Sequence, residues 1–267
     1  MGAANKRIDL HVDVFEELEQ LASARRELMP DELIKAILLE FQELTYLTDD
    51  PAQYDLVRLD TDEPLDPAVS IGAQLRDGIR LKLVERRLQP PRRAAVPPAN
   101  LYLTDQATGK VYRLPWLPAI VGRDDKNQPQ NDLVAVDLSS SPTGLRVSRR
   151  HVMISGDTDG YSVACLSSNP ATVIRGEAQQ PLTAGKLQDL EDGDFILLDR
   201  SNIRLRFMVR KPAQDAVAEL VGTVTGQGAN QDDRGVQGDT GNEQEHASDD
   251  NLLQTGNARA TRWHDRP

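Results

Sequence analysis

Residues 122–155 read GRDDKNQPQNDLVAVDLSSSPTGLRVSRRHVMIS, and their short apolar runs between turn formers decide how the second half of the chain folds. The same rhythm extends to both sides. Residues 101–103 (LYL) lead to a turn at Thr108-Gly109, and residues 111–114 (VYRL) return as a strand. Ile120-Val121 precedes Gly122, and residues 151–155 and 161–166 flank a turn at 156–160. Residues 195–198 and 203–209 close the region as a hairpin. Many short strands at this spacing predict an all-β sandwich over residues 100–211, with the strand order left open.

Three polar clusters interrupt these strands: Gly122-Arg123, Ser148-Arg149-Arg150-His151 and Ser167-Ser168-Asn169. Arg carries a planar fork of donors, Ser adds a hydroxyl, and Asn adds an amide that grips a peptide main chain. Brought together from three loops, they make a site for one dianionic phosphate. In isolation Arg123 reads as a solvated charge, and Ser148 and Asn169 as turn formers.

The clusters resemble those of the forkhead-associated (FHA) family, whose domains bind phosphothreonine peptides. Asn131-Asp132-Leu133 resembles the family's NDI element, and Leu190-Glu191-Asp192-Gly193-Asp194-Phe195-Ile196 its L-x-DGD-x-I turn. The resemblance spans about residues 111–209. It implies phosphate contacts from Arg123, Ser148, Arg149 and Ser168, and a peptide main-chain contact from Asn169. It implies that Arg146 reads an acidic residue downstream of the phosphothreonine. It assigns structural roles to Gly122, as a point of close backbone packing, and to His151, as an internal brace. The sequence departs from the family at Pro170-Ala171, where Gly-Thr is usual, and at residues 174–176 (IRG), where a second Asn is common. Proline removes an amide donor and sets φ, so this loop is expected to be shaped differently.

The chain has 267 residues, a net charge of −11 and one cysteine, Cys165. The charge argues against general binding to nucleic acid or to an anionic membrane. A single cysteine forms no internal disulfide and no Cys-based zinc site, which fits a cytoplasmic location. No stretch of about 18 apolar residues is present, so no membrane span is expected. No nucleophile–base pair with an orienting acid is apparent, so the chain is expected not to be an enzyme and to need no cofactor or metal.

Residues 1–87 support two readings. Ile8, Leu10, Val12 and Val14 alternate with polar residues as in a half-buried strand, and Leu33, Ile34, Ile37, Leu38 and Phe41 follow helical spacing. Residues 63–84 (EPLDPAVSIGAQLRDGIRLKLV) resemble the end of a ubiquitin-like β-grasp domain, such as those of bacterial type VII secretion systems. The chain continues through Glu85-Arg86-Arg87 without a Gly-Gly end, so lysine conjugation is not expected. Residues 15–28 (FEELEQLASARREL), however, have helical spacing. A strand followed by two helices resembles the ribbon-helix-helix family of DNA-binding dimers, although Asp9 and Asp13 on the reading face would repel DNA phosphate.

Residues 88–99 (LQPPRRAAVPPA) read as a semi-rigid proline-rich linker. Residues 212–267 are poor in large apolar groups and read as a disordered acidic tail. In that tail Thr240 precedes Glu243 by three residues, a match for Arg146 if Thr240 were phosphorylated, and Trp263 is a short docking element or a random exposed residue. The expected architecture is thus α+β: a ubiquitin-like domain, a linker, an FHA sandwich and a disordered tail. The expected function is a cytoplasmic phosphothreonine-binding adaptor of bacterial-type signalling, linked to secretion. Its partner would be a Ser/Thr kinase or a kinase substrate. The alternatives are an FHA-regulated DNA-binding dimer and a degenerate FHA scaffold that binds unmodified partners.

Overall fold

Strand β1 (Arg7–Val14) buries Ile8, Leu10, Val12 and Val14, as its period-two alternation requires. The structure, a computed structural model, describes residues 6–210. The expected tail at 212–267, with Thr240, Glu243 and Trp263, lies outside the described residues.

The chain reverses at Phe15, whose φ of 55° is in the left-handed region, and pairs back as β2 (Glu17–Arg25). The helical spacing of residues 15–28 is therefore overturned. Leu18 and Leu21, which would have lain on a buried helical face, are 61% and 41% exposed, while Ala22 and Ala24 point into the core. Pairing with β1 outweighs the local preference, because the alternating apolar face of β1 is covered only within a sheet. The order strand, helix, helix does not form, which corrects the structural basis of the ribbon-helix-helix reading. Side chains of β1 add to its pairing with β2. Asp13 Oδ1 accepts the Glu19 N–H at 2.7 Å, and the Arg7 guanidinium donates to the Ser23 carbonyl.

Helix α1 (Pro30–Glu40) opens with proline in its first turn, and Glu32 Oε2 accepts the Met29 N–H at 2.9 Å. Its Leu33, Ile34, Ile37 and Leu38 pack against the sheet formed with β3 (Tyr54–Arg58) and β4 (Ile79–Glu85). A one-turn helix, α2 (Ile71–Gln74), precedes β4. The strand order is β2-β1-β4-β3, with β1 and β4 parallel at the centre. Residues 88–99 hold no strand or helix, but Ala95 and Leu117 exchange two backbone hydrogen bonds of 2.8 Å, so the proline-rich stretch is tied down.

The remaining strands are β5 (Asn100–Asp105), β6 (Val111–Leu114), β7 (Ala119–Gly122), β8 (Val134–Asp137), β9 (Arg150–Gly156), β10 (Tyr161–Cys165), β11 (Ala171–Arg175), β12 (Ala178–Pro181), β13 (Leu187–Leu190), β14 (Phe195–Leu198) and β15 (Ile203–Arg210). They form a five-stranded sheet, β13-β10-β9-β7-β8, and a six-stranded sheet, β12-β11-β14-β15-β5-β6. Val121, Val152, Ile154 and Val163 of the first meet Leu101, Leu103, Ile196, Leu205 and Phe207 of the second in one core. The described residues are thus mostly β, with a sandwich as the larger part.

Tyr102 lies between the core residues Leu101 and Leu103 on β5 and so faces away from the sandwich, yet it is fully buried. Residues of the turn after α1 and of β4 cover it. Its ring lies 5.2 Å from that of Tyr46, and its hydroxyl donates to Glu85 Oε1 at 2.9 Å. Arg113 pairs with Glu85 at 3.5 Å, with side chains only 13% and 8% exposed, and also donates to the Arg86 carbonyl. Arg210 closes the contact by pairing with Glu16 at 2.8 Å and stacking 4.1 Å from the Phe15 ring. These contacts join the N-terminal sheet and the sandwich into one folding unit. Calorimetry should show one unfolding transition for the wild type. The substitution Arg113→Ala strands the nearly buried Glu85 carboxylate, and is expected to cost about 3–5 kcal/mol and to split unfolding into two transitions.

Candidate functional site

Three loops meet at one end of the sandwich: the connection from β7 to β8, the approach to β9, and the connection from β10 to β11. The first two are drawn together at Gly122, where a Cβ would sit 2.2 Å from the Arg149 carbonyl oxygen. Only glycine permits this approach. The next residue, Arg123, donates its backbone N–H to that same carbonyl at 3.1 Å and its Nε to the Val147 carbonyl at 2.7 Å. Its Nη groups make no hydrogen bond among the described residues.

Ser148 and Asn169 touch directly, the Asn169 Nδ2 donating to the Ser148 Oγ at 2.9 Å and to the Arg146 carbonyl at 3.4 Å. Ser167 shapes this loop, since its Oγ donates to the Asn169 carbonyl at 3.0 Å and accepts the Asn169 N–H at 3.1 Å. Ser168 lies between them, exposed to solvent. Arg146 is also exposed, and its side chain makes no hydrogen bond among the described residues.

Fully buried His151 links the last two loops. Its Nδ1 accepts the Ser148 N–H at 3.4 Å, and its Nε2 lies 3.3 Å from the Pro170 carbonyl oxygen. The neutral tautomer with the proton on Nε2 satisfies both contacts. Burial lowers the His151 pKa, outweighing the carbonyls that favour the charged ring. With both nitrogens engaged and no path to solvent, this histidine is not placed to act as a general base.

The geometry thus brings Arg123, Ser148 and Asn169 together, with Ser168 at the rim. Arg149 is different. Its side chain turns to Asp125, Nε lying 2.7 Å from Oδ2. Sequence reasoning missed Arg150, which holds the site's walls in place. Its guanidinium donates to the carbonyls of Pro129 (3.0 Å), Arg123 (3.2 Å) and Arg149 (2.8 Å), and to Asn131 Oδ1 (2.8 Å). Asn131 Oδ1 also accepts the Asp125 N–H at 2.9 Å. The available signal was the Arg-Arg pair, because neighbouring residues entering a strand diverge and only one of the two faces the ligand side. Burial alone would raise the Asp137 pKa, but hydrogen bonds from Ser139 and the Asp124 N–H, with the charge of Arg123, hold it below the usual range. As a whole the site presents guanidinium, hydroxyl and amide groups to solvent on a rigid frame, which suits an oxyanion.

No protein-family model matches the chain, and no curated protein matches it. Solved structures similar to it include FHA domains. Mycobacterium tuberculosis EmbR in complex with a low-affinity phosphopeptide is 27% identical, with 43% of this chain and 26% of that chain covered and a TM-score of 0.31. The FhaA FHA domain, in a complex, is 27% identical over 40% of this chain and 98% of that chain, with a TM-score of 0.30. A de novo design based on ubiquitin is 14% identical over 32% of this chain and 96% of its own, with a TM-score of 0.26.

Because its folded pKa lies below the ordinary value of about 6.5, buried His151 contributes stability above that pH, and the contribution is lost as pH falls. Urea unfolding should therefore show a less stable wild type at pH 5.5 than at pH 7.5. His151→Ala should lower stability at pH 7.5 by at least about 2 kcal/mol and flatten that acid dependence.

Proposed function

We propose that the protein is a phosphothreonine-dependent adaptor, a binding module rather than an enzyme. The observation that carries this reading is the convergence of Arg123, Ser148 and Asn169 from three loops, with the Ser148–Asn169 hydrogen bond at its centre. In this reading the Arg123 Nη groups and the Ser148 hydroxyl hold the phosphate, and Ser168 adds a donor from the rim. Asn169 holds the peptide main chain through its side-chain Oδ1, since its Nδ2 is engaged by Ser148 and Arg146. Arg149 joins the phosphate, and Arg146 selects an acidic residue downstream of the phosphothreonine. The departure at Pro170 is compatible with this reading. Its missing N–H is not needed locally, and its carbonyl oxygen serves His151 and the Asp199 N–H.

The N-terminal sheet, with parallel β1 and β4 at its centre and one helix packed across it, supports a ubiquitin-like assignment. With Glu85-Arg86-Arg87 continuing into the next segment, its role is contact and not conjugation. The partner in this reading is a phosphothreonine-bearing protein, a Ser/Thr kinase or its substrate, in a cytoplasmic pathway connected to secretion.

Anisotropy titration of a degenerate phosphothreonine peptide pool, beside its unphosphorylated counterpart, tests this. Arg123→Ala is expected to weaken phosphopeptide binding by roughly 10- to 100-fold, the range for losing a charge-assisted contact. Ser148→Ala should lose less. Equal binding of both pools would identify a scaffold for unmodified partners instead.

A further inference from the structure

The side chain that occupies Arg149 is held too rigidly to be incidental. Asp125 follows Arg123 by two residues, on the loop that forms one wall of the site. Its main chain is fixed from both sides, the N–H donating to Asn131 Oδ1 at 2.9 Å and the carbonyl accepting from Arg150 Nη2 at 3.4 Å. Its Oδ1 accepts the Asn127 N–H at 3.0 Å, which orients the carboxylate. Its Oδ2 then faces Arg149 Nε at 2.7 Å, with side chains 20% and 53% exposed. A carboxylate on a braced loop is thus set against a guanidinium that solvent reaches.

We propose that Asp125 is an internal competitor for Arg149: it holds this arginine in the ligand-free state and gives it up to a phosphate dianion. The proposal rests on the phosphopeptide-reading assignment above. Solvent reaches the Arg149 side of the pair and screens it, so exchanging this partner has a modest cost. A phosphate carries close to two negative charges at neutral pH and three acceptor oxygens, and outbids one carboxylate for the guanidinium. A monoanionic group has no such advantage over Asp125. Asp125 therefore raises the threshold that any anion must pass to recruit Arg149, and a dianion passes it more readily. Its own negative charge stays beside the bound phosphate and lowers affinity further, in a salt-dependent way.

The substitution Asp125→Asn tests this with little disturbance, because an amide oxygen still accepts the Asn127 N–H. Full-length protein is titrated with the degenerate phosphothreonine pool and with a pool carrying glutamate in place of phosphothreonine. Asp125→Asn is expected to bind the phosphorylated pool roughly three- to tenfold more tightly at low salt. The gain should shrink at about 0.5 M salt, where charges are screened within a few ångströms. Binding of the glutamate pool should rise by a smaller factor, because a monoanion gains less from the freed guanidinium and is repelled less by Asp125. In an Arg149→Ala background most of the gain should disappear. Unchanged or weaker binding by Asp125→Asn would show that Asp125 merely positions Arg149, and would overturn the proposal. So would an undiminished gain without Arg149. If wild-type binding depends on neither phosphate nor Arg123, the reader assignment fails and the competitor role falls with it. Phosphate- and Arg123-dependent binding that is indifferent to Asp125 sinks the competitor role alone.

Discussion

Two loops of opposite origin, one entering β9 and one leaving β10, depend on a single buried imidazole. His151 is fully buried, so each ring nitrogen needs a partner, and one comes from each loop. The Ser148 N–H and the Pro170 carbonyl are thereby held at fixed separation. Ser148 Oγ and Asn169 Nδ2 then meet without having to order themselves. A site assembled in this way loses little conformational entropy when a ligand arrives. The same constraint explains how Pro170 is tolerated, since the brace uses its carbonyl and not an N–H.

The third wall is secured by a different device. Gly122 lets the backbone of β7 pass close to the Arg149 carbonyl, and Arg150 gathers five acceptors across that junction. Consecutive arginines thus divide the work. Arg150 spends its donors on the frame, while Arg149 projects outward to Asp125. A stretch that is uniformly basic in sequence becomes one structural cation and one exchangeable cation.

Charge and apolar area are combined likewise where the N-terminal sheet meets the sandwich. Tyr102, on the outer face of its sheet, is buried only because the turn after α1 and strand β4 cover it, and burial pushes its phenol pKa up. Its hydroxyl and the Arg113 guanidinium both converge on Glu85. The buried carboxylate is therefore paired and hydrogen-bonded, which is the condition for tolerating it. The Phe15 turn that reaches Arg210 belongs to the hairpin whose second strand resembled a helix in sequence.

Sequence by itself determined the features that repeat over a few residues. The alternation of Ile8, Leu10 and Val12, the helical face of Leu33, Ile34, Ile37 and Leu38, and the hairpin of residues 195–209 were legible because burial acts on each residue in turn. The polar clusters containing Arg123, Ser148 and Asn169 stood out because they break those strands with donor groups. Tertiary structure alone decided that residues 17–25 form a strand, since their partner face lies on β1. It also decided the order of the strands and the strands β8 and β11 to β13, which are short and have weak alternation. The division of Arg149 from Arg150 and the covering of Tyr102 belong to the same class. All of these depend on contacts between residues far apart in the chain, and local periodicity carries no information about which distant group will arrive to satisfy a donor or cover an apolar face.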